Sequence, residues 1–253
     1  MSVAGSPSGQ KIDIAPSVRF AYTVVIENAR LAVRLAWLPF AILVGMELIA
    51  WMLSGGRFGE ILASLLRLAG FAVFGTVFIV RWHRFILLEE TASDRLFPPG
   101  WGTFFLALLK LGLLFLLGFI VLIVIAAVAP HSLTQVILVV GIISITLVWA
   151  GVSLAFPAAA IKRPISLVGD AWDLVTGNYW RLAACLIACC APFGIVSYIV
   201  DEIGGALPSF LWIVFQIISL AVWFASSAVV ASLLSDVYRG LYPGSALAER
   251  PIS

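Results

Sequence analysis

Within the long apolar stretches of this 253-residue sequence only a handful of ionisable side chains occur, and any chemistry would have to start from them. Glu47 and Arg67 fall in consecutive apolar runs. At a helical rise of 1.5 Å per residue both lie about 10 Å below the same end of their runs. Opposite charges at matched depth on neighbouring antiparallel helices make a candidate ion pair. A structural pair is favoured over a transport role, because transport would call for more polar groups in the same layer. Lys110 can snorkel to the nearer surface, and Gln216 with Ser219, Ser226 and Ser227 has the chemistry of hydrogen bonds between helices. Between the apolar runs, His83, Glu89, Glu90 and Asp94 gather in one polar linker, and His131 stands by itself. His83 and Glu90 are two helical turns apart, beyond the three- or four-residue spacing of a shared metal shell. Cys185, Cys189 and Cys190 sit together in an apolar run, where free cysteine behaves as a small packing residue. The sequence holds no nucleophile elbow, Walker motif, dinucleotide fingerprint or HExxH. The expectation is a protein that is not an enzyme, with no catalytic residue, cofactor or metal.

The elements that position these residues follow from composition. Hydrophobic residues make up 62% of the chain and charged ones 11%, with mean hydropathy +1.12. Soluble domains carry about 25% charged residues, so this chain has too little polar surface to stay in water. A net charge of +2 without a basic tract argues against nucleic acid. A spanning helix needs about 20 mostly apolar residues, and six runs qualify: 35–53, 61–80, 103–128, 133–156, 180–200 and 209–234. The connections after the first, third and fifth are short; those after the second and fourth are long, polar and rich in Trp and Arg. The predicted fold is all-α: a polytopic membrane protein with six transmembrane helices in three hairpins. Residues 1–16 read as a flexible tail without a cleavable leader, 17–241 as one membrane domain and 242–253 as a second tail. Thirteen of the Lys and Arg residues fall on the side of the termini, against Arg57 alone in the opposite loops. By the positive-inside rule both termini are cytoplasmic.

The polar linkers read as amphipathic helices lying in the cytoplasmic interface. In 165–176 the apolar Ile165, Val168, Trp172 and Val175 recur at helical spacing, with Asp170 and Asp173 on the other face. A loop helix packed on the protein itself is the alternative. Pro164 suits a first turn, Gly177-Asn178 a stop, and Lys162 and Arg163 can meet anionic headgroups. Ahead of the first span, Glu27, Arg30 and Arg34 form a polar stripe. Trp82 and Trp101 suit a headgroup-level aromatic belt. Trp82, Arg84, Trp101, Lys162, Arg163, Trp172, Trp180 and Arg181 are accordingly the candidate interfacial contacts. Pro39-Phe40-Ala41-Ile42 in the first span parallels Pro192-Phe193-Gly194-Ile195 in the fifth, and Asn28 upstream of one parallels Asn178 upstream of the other, a faint internal repeat.

Ala171-Trp172 followed by Thr176-Gly177-Asn178-Tyr179-Trp180-Arg181-Leu182, the ending Val237-Tyr238-Arg239-Gly240-Leu241, and Arg81-Trp82-His83-Arg84-Phe85 together carry a resemblance. They resemble a bacterial six-span inner-membrane family named for the membrane domain of glycerophosphodiester phosphodiesterase. The namesake's activity belongs to a separate soluble domain, so the resemblance implies an inner-membrane helical protein and brings no catalytic residues. The function expected is non-catalytic organisation of membrane lipids, anionic ones among them, or of membrane-protein partners or further copies of the chain. A transporter or channel for a small amphiphilic solute is the alternative.

Overall fold

The computed structural model describes residues 11–91, 95–163, 169–206 and 212–242. Every regular element among them is helical: α1 Ile14–Glu27, α2 Ala29–Leu53, α3 Gly56–Gly70, a π-helical turn Phe71–Gly75, α4 Thr76–Leu88, α5 Trp101–Val128, α6 His131–Ser153, α7 Ala155–Ala160, α8 Asp170–Val175, α9 Tyr179–Ala206 and α10 Trp212–Leu241. Six of the resulting helices are long and apolar enough to cross a membrane, with α3 to α4 forming one continuous span of 33 residues. The chain is an all-α polytopic membrane protein. Hairpins α2/α3, α5/α6 and α9/α10 pack as antiparallel pairs, and α10 is the hub, touching α9, α1, α4, α2 and α7.

The helices outrun the expected spans, chiefly at the end that carries most of the arginines, called here the basic end. Beyond Val80, where the span was expected to stop, α4 continues through Arg81-Trp82-His83-Arg84 to Leu88. Nothing in that stretch breaks a helix. The stop comes at Glu89, whose φ of 57° reverses the chain. The first charged residue was therefore a poor marker of the helix end, since a charge with a partner need not leave the helix. Ile12, inside the segment expected as a mobile tail, is buried, and α1 begins two residues later.

Buried side chains concentrate at the basic end. One cluster joins α1, α9 and α10 through Ala21, Leu182, Cys185, Leu233 and Tyr238. A second joins α2, α4 and α10 through Leu43, Phe78, Trp82 and Phe224. A third sets Phe104 and Leu111 of α5 against Val80 and Phe156. Past Leu111 no residue of α5 is buried, and past Cys189 only Gly204 of α9 is. Large apolar side chains stand exposed along the remainder, Leu113 to Val128 and Ile195 to Ile203 among them. Burying them against lipid costs nothing, so composition alone licenses an open arrangement there.

Candidate functional site

The chemistry-bearing residues fall into three groups. Glu47 and Arg67 form an ion pair, Arg67 Nε to Glu47 Oε2 at 2.9 Å, with the Glu47 side chain 11% exposed and that of Arg67 31%. The guanidinium also lies 5.8 Å from the Trp212 ring centre, a cation–π distance that ties the α2/α3 hairpin to the start of α10.

The second group is a polar frame inside the basic end. Trp82, fully buried, donates its indole N–H to Ser232 Oγ at 2.8 Å. His83 Nδ1 shares a 2.7 Å hydrogen bond with Ser235 Oγ, one turn further along α10. Arg84 forks onto Glu90, 2.8 and 2.5 Å, and donates to the Ala160 carbonyl at 3.0 Å. Arg239 donates to the Ile86 carbonyl. These bonds lace α4 to α7 and α10. His83, expected in a polar linker, is instead buried within α4, and its ring abuts Phe104. Glu90 is held by Arg84 and Glu89 is exposed, so the linker acids do not converge on the imidazole. Asp94 lies outside the described residues. Among the described residues no three His, Cys, Asp or Glu side chains are placed to share a metal ion.

The third group answers breaks in the helices. A proline has no N–H, so the carbonyl four residues earlier loses its partner, which hydrocarbon cannot replace. Pro39 frees the Leu35 carbonyl, and Arg81 Nη1 donates to it at 3.3 Å, while Arg81 Nη2 reaches the Arg95 and Leu96 carbonyls at 2.9 and 3.4 Å. Pro192 frees the Ala188 carbonyl. The Tyr22 hydroxyl lies 3.5 Å from it and donates to the Cys189 carbonyl at 3.1 Å. At the π-helical turn, Thr76 Oγ1 donates to Ala72, and the Trp101 indole donates to Thr76 Oγ1 and the Val73 carbonyl. Each broken span is thus mended by a side chain from another segment. The phenylalanine after each proline also meets a ring, Phe40 on Phe224 and Phe193 on Tyr22. This is the structural content of the faint repeat, with Asn28 and Asn178 each standing immediately before the long helix.

The mending carries a testable coupling. Tyr22→Phe is expected to cost about 1 kcal/mol in the native background. Against Pro192→Ala, which restores an N–H for Ala188 but leaves the Cys189 carbonyl with Tyr22, its cost should fall by a few tenths, the share owed to Ala188. Thermal melts of the four proteins in detergent check this; equal costs in both backgrounds would refute the assignment.

The motif at 176–181, where Gly177-Asn178 was expected as a helix stop and Trp180 and Arg181 as interfacial contacts, holds a backbone clamp. Asn178 Oδ1 accepts the Ile12 N–H at 3.0 Å and Arg181 Nη1 donates to the Ile12 carbonyl at 2.9 Å. Together they hold the chain where it enters α1, which then runs beside α9. Of the expected interfacial residues, Trp82 and Arg84 are inside the protein. Trp101 is half-buried between Phe97 and Phe105. Arg163 lies over the Tyr242 ring at 5.0 Å. Trp172 packs in the space left by Gly151 and on Tyr179. Only Lys162 and Trp180 are exposed. The amphipathic reading of 165–176 turns over for the same reason. Ala171 and Val175 of α8 are buried in protein, leaving Asp170 and Asp173 outward; Ile165 and Val168 lie outside the described residues. An apolar helix face has equal use for lipid and for a neighbouring helix, and here the neighbour is closer. Sequence reasoning missed Tyr22, Ser232 and Ser235. A proline inside a helix frees a carbonyl by its chemistry, but nothing local says which donor reaches it.

Comparison of the chain with family models, with curated proteins and with solved structures found no match, and nothing in them bears on the resemblance to the phosphodiesterase membrane-domain family.

Proposed function

We propose that this protein is a non-catalytic component of the bacterial inner membrane that organises lipids or partner membrane proteins around its helical body. The observation that carries the reading is how its chemistry-bearing side chains are used. Arg81, Arg84, His83, Trp82 and Arg239 are spent on carbonyls, serines and Glu90 inside the frame. The outward halves of α5, α6 and α9 meanwhile offer continuous apolar surface. A rigid polar frame with apolar walls suits a body that others gather against. The excess of Lys and Arg at one end supports cytoplasmic termini. The transporter reading leans on Pro39, Pro192 and the Glu47–Arg67 pair. It is less favoured because Arg81 and Tyr22 already occupy the breaks that a solute would use.

Purification of the full chain from native membrane, with co-purifying lipids and proteins identified by mass spectrometry, tests the proposal. Enrichment of a lipid class or a membrane protein over a control six-helix protein is the expected result. A lipid profile equal to that of bulk membrane, with no protein enriched, would overturn it.

A further inference from the structure

The described arginines of the basic end divide into two sets. Arg81, Arg84, Arg95, Arg163, Arg181 and Arg239 are all engaged within the protein. Arg19, Arg30 and Arg34 are exposed and have no hydrogen bond or ion pair among the described residues. Arg19, Thr23 and Glu27, four apart, share one face of α1, and Arg30, Arg34 and Trp37, three or four apart, share one face of α2. The helix breaks at Asn28, whose N–H closes α1 on the Val24 carbonyl and whose carbonyl accepts the first bond of α2 from Ala32. Glu27 and Arg30 stand on either side of that break, so the two faces meet there as one bent stripe. Along α1 that stripe borders a groove of about 510 Å³ that runs from Ala15 and Pro16 past Arg19, Phe20 and Val24 to Glu27.

Depth adds a second, independent argument. From Arg34 to Leu53 at the end of α2, and from Lys110 to Val128 at the end of α5, the helices rise about 27–29 Å. A bilayer's hydrocarbon core is about 30 Å thick. The stretch of α5 without buried residues begins at the same level, just past Leu111. Two separate hairpins thus place one membrane boundary at the height of Arg34 and Lys110. Trp37, 59% exposed, lies one turn below it, with Ile26 and Val33 exposed alongside the stripe.

We infer that the Arg19–Arg30–Arg34 stripe is a binding site for an anionic phospholipid. Arg30 and Arg34 hold the phosphodiester at the boundary, the headgroup lies in the groove of α1, and an acyl chain runs down over Val33 and Trp37. Planar guanidinium forks suit phosphate oxygens, three arginines against one glutamate leave the stripe positive, and among the described residues none bonds to them. The site rests on the lipid-organising reading, which it narrows to one surface and one headgroup chemistry.

The test uses the full chain in nanodiscs of equal phosphatidylglycerol and phosphatidylcholine, extracted into detergent, with the retained lipid counted by native mass spectrometry. The wild type is expected to retain phosphatidylglycerol preferentially. R30Q/R34Q should lower that retention roughly thirtyfold, from about a fivefold contribution per arginine at a membrane surface. R30K/R34K should keep most of it, and R57Q, an unengaged arginine at the opposite end, should change nothing. Equal melting temperatures establish that the variants fold; should R30Q/R34Q not fold, R34Q alone is read against R34K. Undiminished retention in R30Q/R34Q would overturn the site while leaving lipid organisation standing elsewhere on the protein. Absence of any preference in the wild type would overturn the site, and the broader proposal would then be decided by the proteins that co-purify. Displacement of phosphatidylglycerol by inorganic phosphate alone, with no dependence on the acyl chains, would make this a free-anion site and overturn the lipid assignment.

Discussion

Replacing Glu47 with leucine is expected to cost the folded protein about 3–5 kcal/mol, the range for breaking a buried ion pair from one side. The carboxylate is nearly enclosed and its partner Arg67 sits 2.9 Å away on the neighbouring helix. Once Glu47 is removed, the guanidinium keeps, among the described residues, the face of Trp212 at 5.8 Å, a contact worth about 0.5–2 kcal/mol. The exposed third of Arg67 gives little relief at this depth, because hydrocarbon does not solvate an ion. Two double variants separate the charge from the position. E47L/R67M removes both ions and should recover most of the loss, as apolar replacement of a whole buried pair is often neutral. E47R/R67E should recover a large part if the pair serves structure. Thermal melts and expression in membranes read all four proteins. Wild-type stability in E47L, or no recovery in either double variant, would contradict a structural role.

Trp82→Ala is expected to be comparably severe, about 3–5 kcal/mol, the usual cost of truncating a fully buried large aromatic side chain. The ring is 0% exposed and packs on Phe78 and Phe85, with centroids 6.1 and 5.4 Å away. Its N–H is bonded to Ser232, whose own hydroxyl donates onward to the Ala228 carbonyl at 2.8 Å. Trp82→Phe keeps most of the packing and should cost about 1 kcal/mol for the lost hydrogen bond. Ser232→Ala strands a buried indole N–H and should cost about 1–3 kcal/mol. The ordering matters more than any single value. A tryptophan in a headgroup belt would tolerate alanine with little loss of stability, so a mild W82A would return Trp82 to the interface and sink the frame described for α4 and α10.

Both experiments bear on what could be read in advance. The Glu47–Arg67 pair was legible because it needs only depth, and depth follows from counting residues along two consecutive helices. Trp82 was not, because a Trp-Arg-rich stretch after an apolar run has the same composition whether it floats in the interface or docks on a neighbour. The same ambiguity covers Trp172, whose ring fills the space beside Gly151, and the Asn178–Arg181 pair, which grips Ile12 from about 170 residues away in the chain. That grip depends on α1 lying beside α9, a relation between segments that no local window contains.

By itself the sequence determined that this is a helical membrane protein, where its six long apolar helices run, how they pair into hairpins, and that its arginines collect at one end. Those properties follow from the transfer free energy of each segment and from short loops, which are local quantities. Pro39 and Pro192 leave the Leu35 and Ala188 carbonyls without their helical donors. Only the tertiary structure decided that Arg81 and Tyr22 supply them, that α4 runs on into a buried polar frame, and that Arg19, Arg30 and Arg34 are left over. Each of those outcomes is a competition among many donors for a few carbonyls, and it is settled by the register between helices distant in the chain.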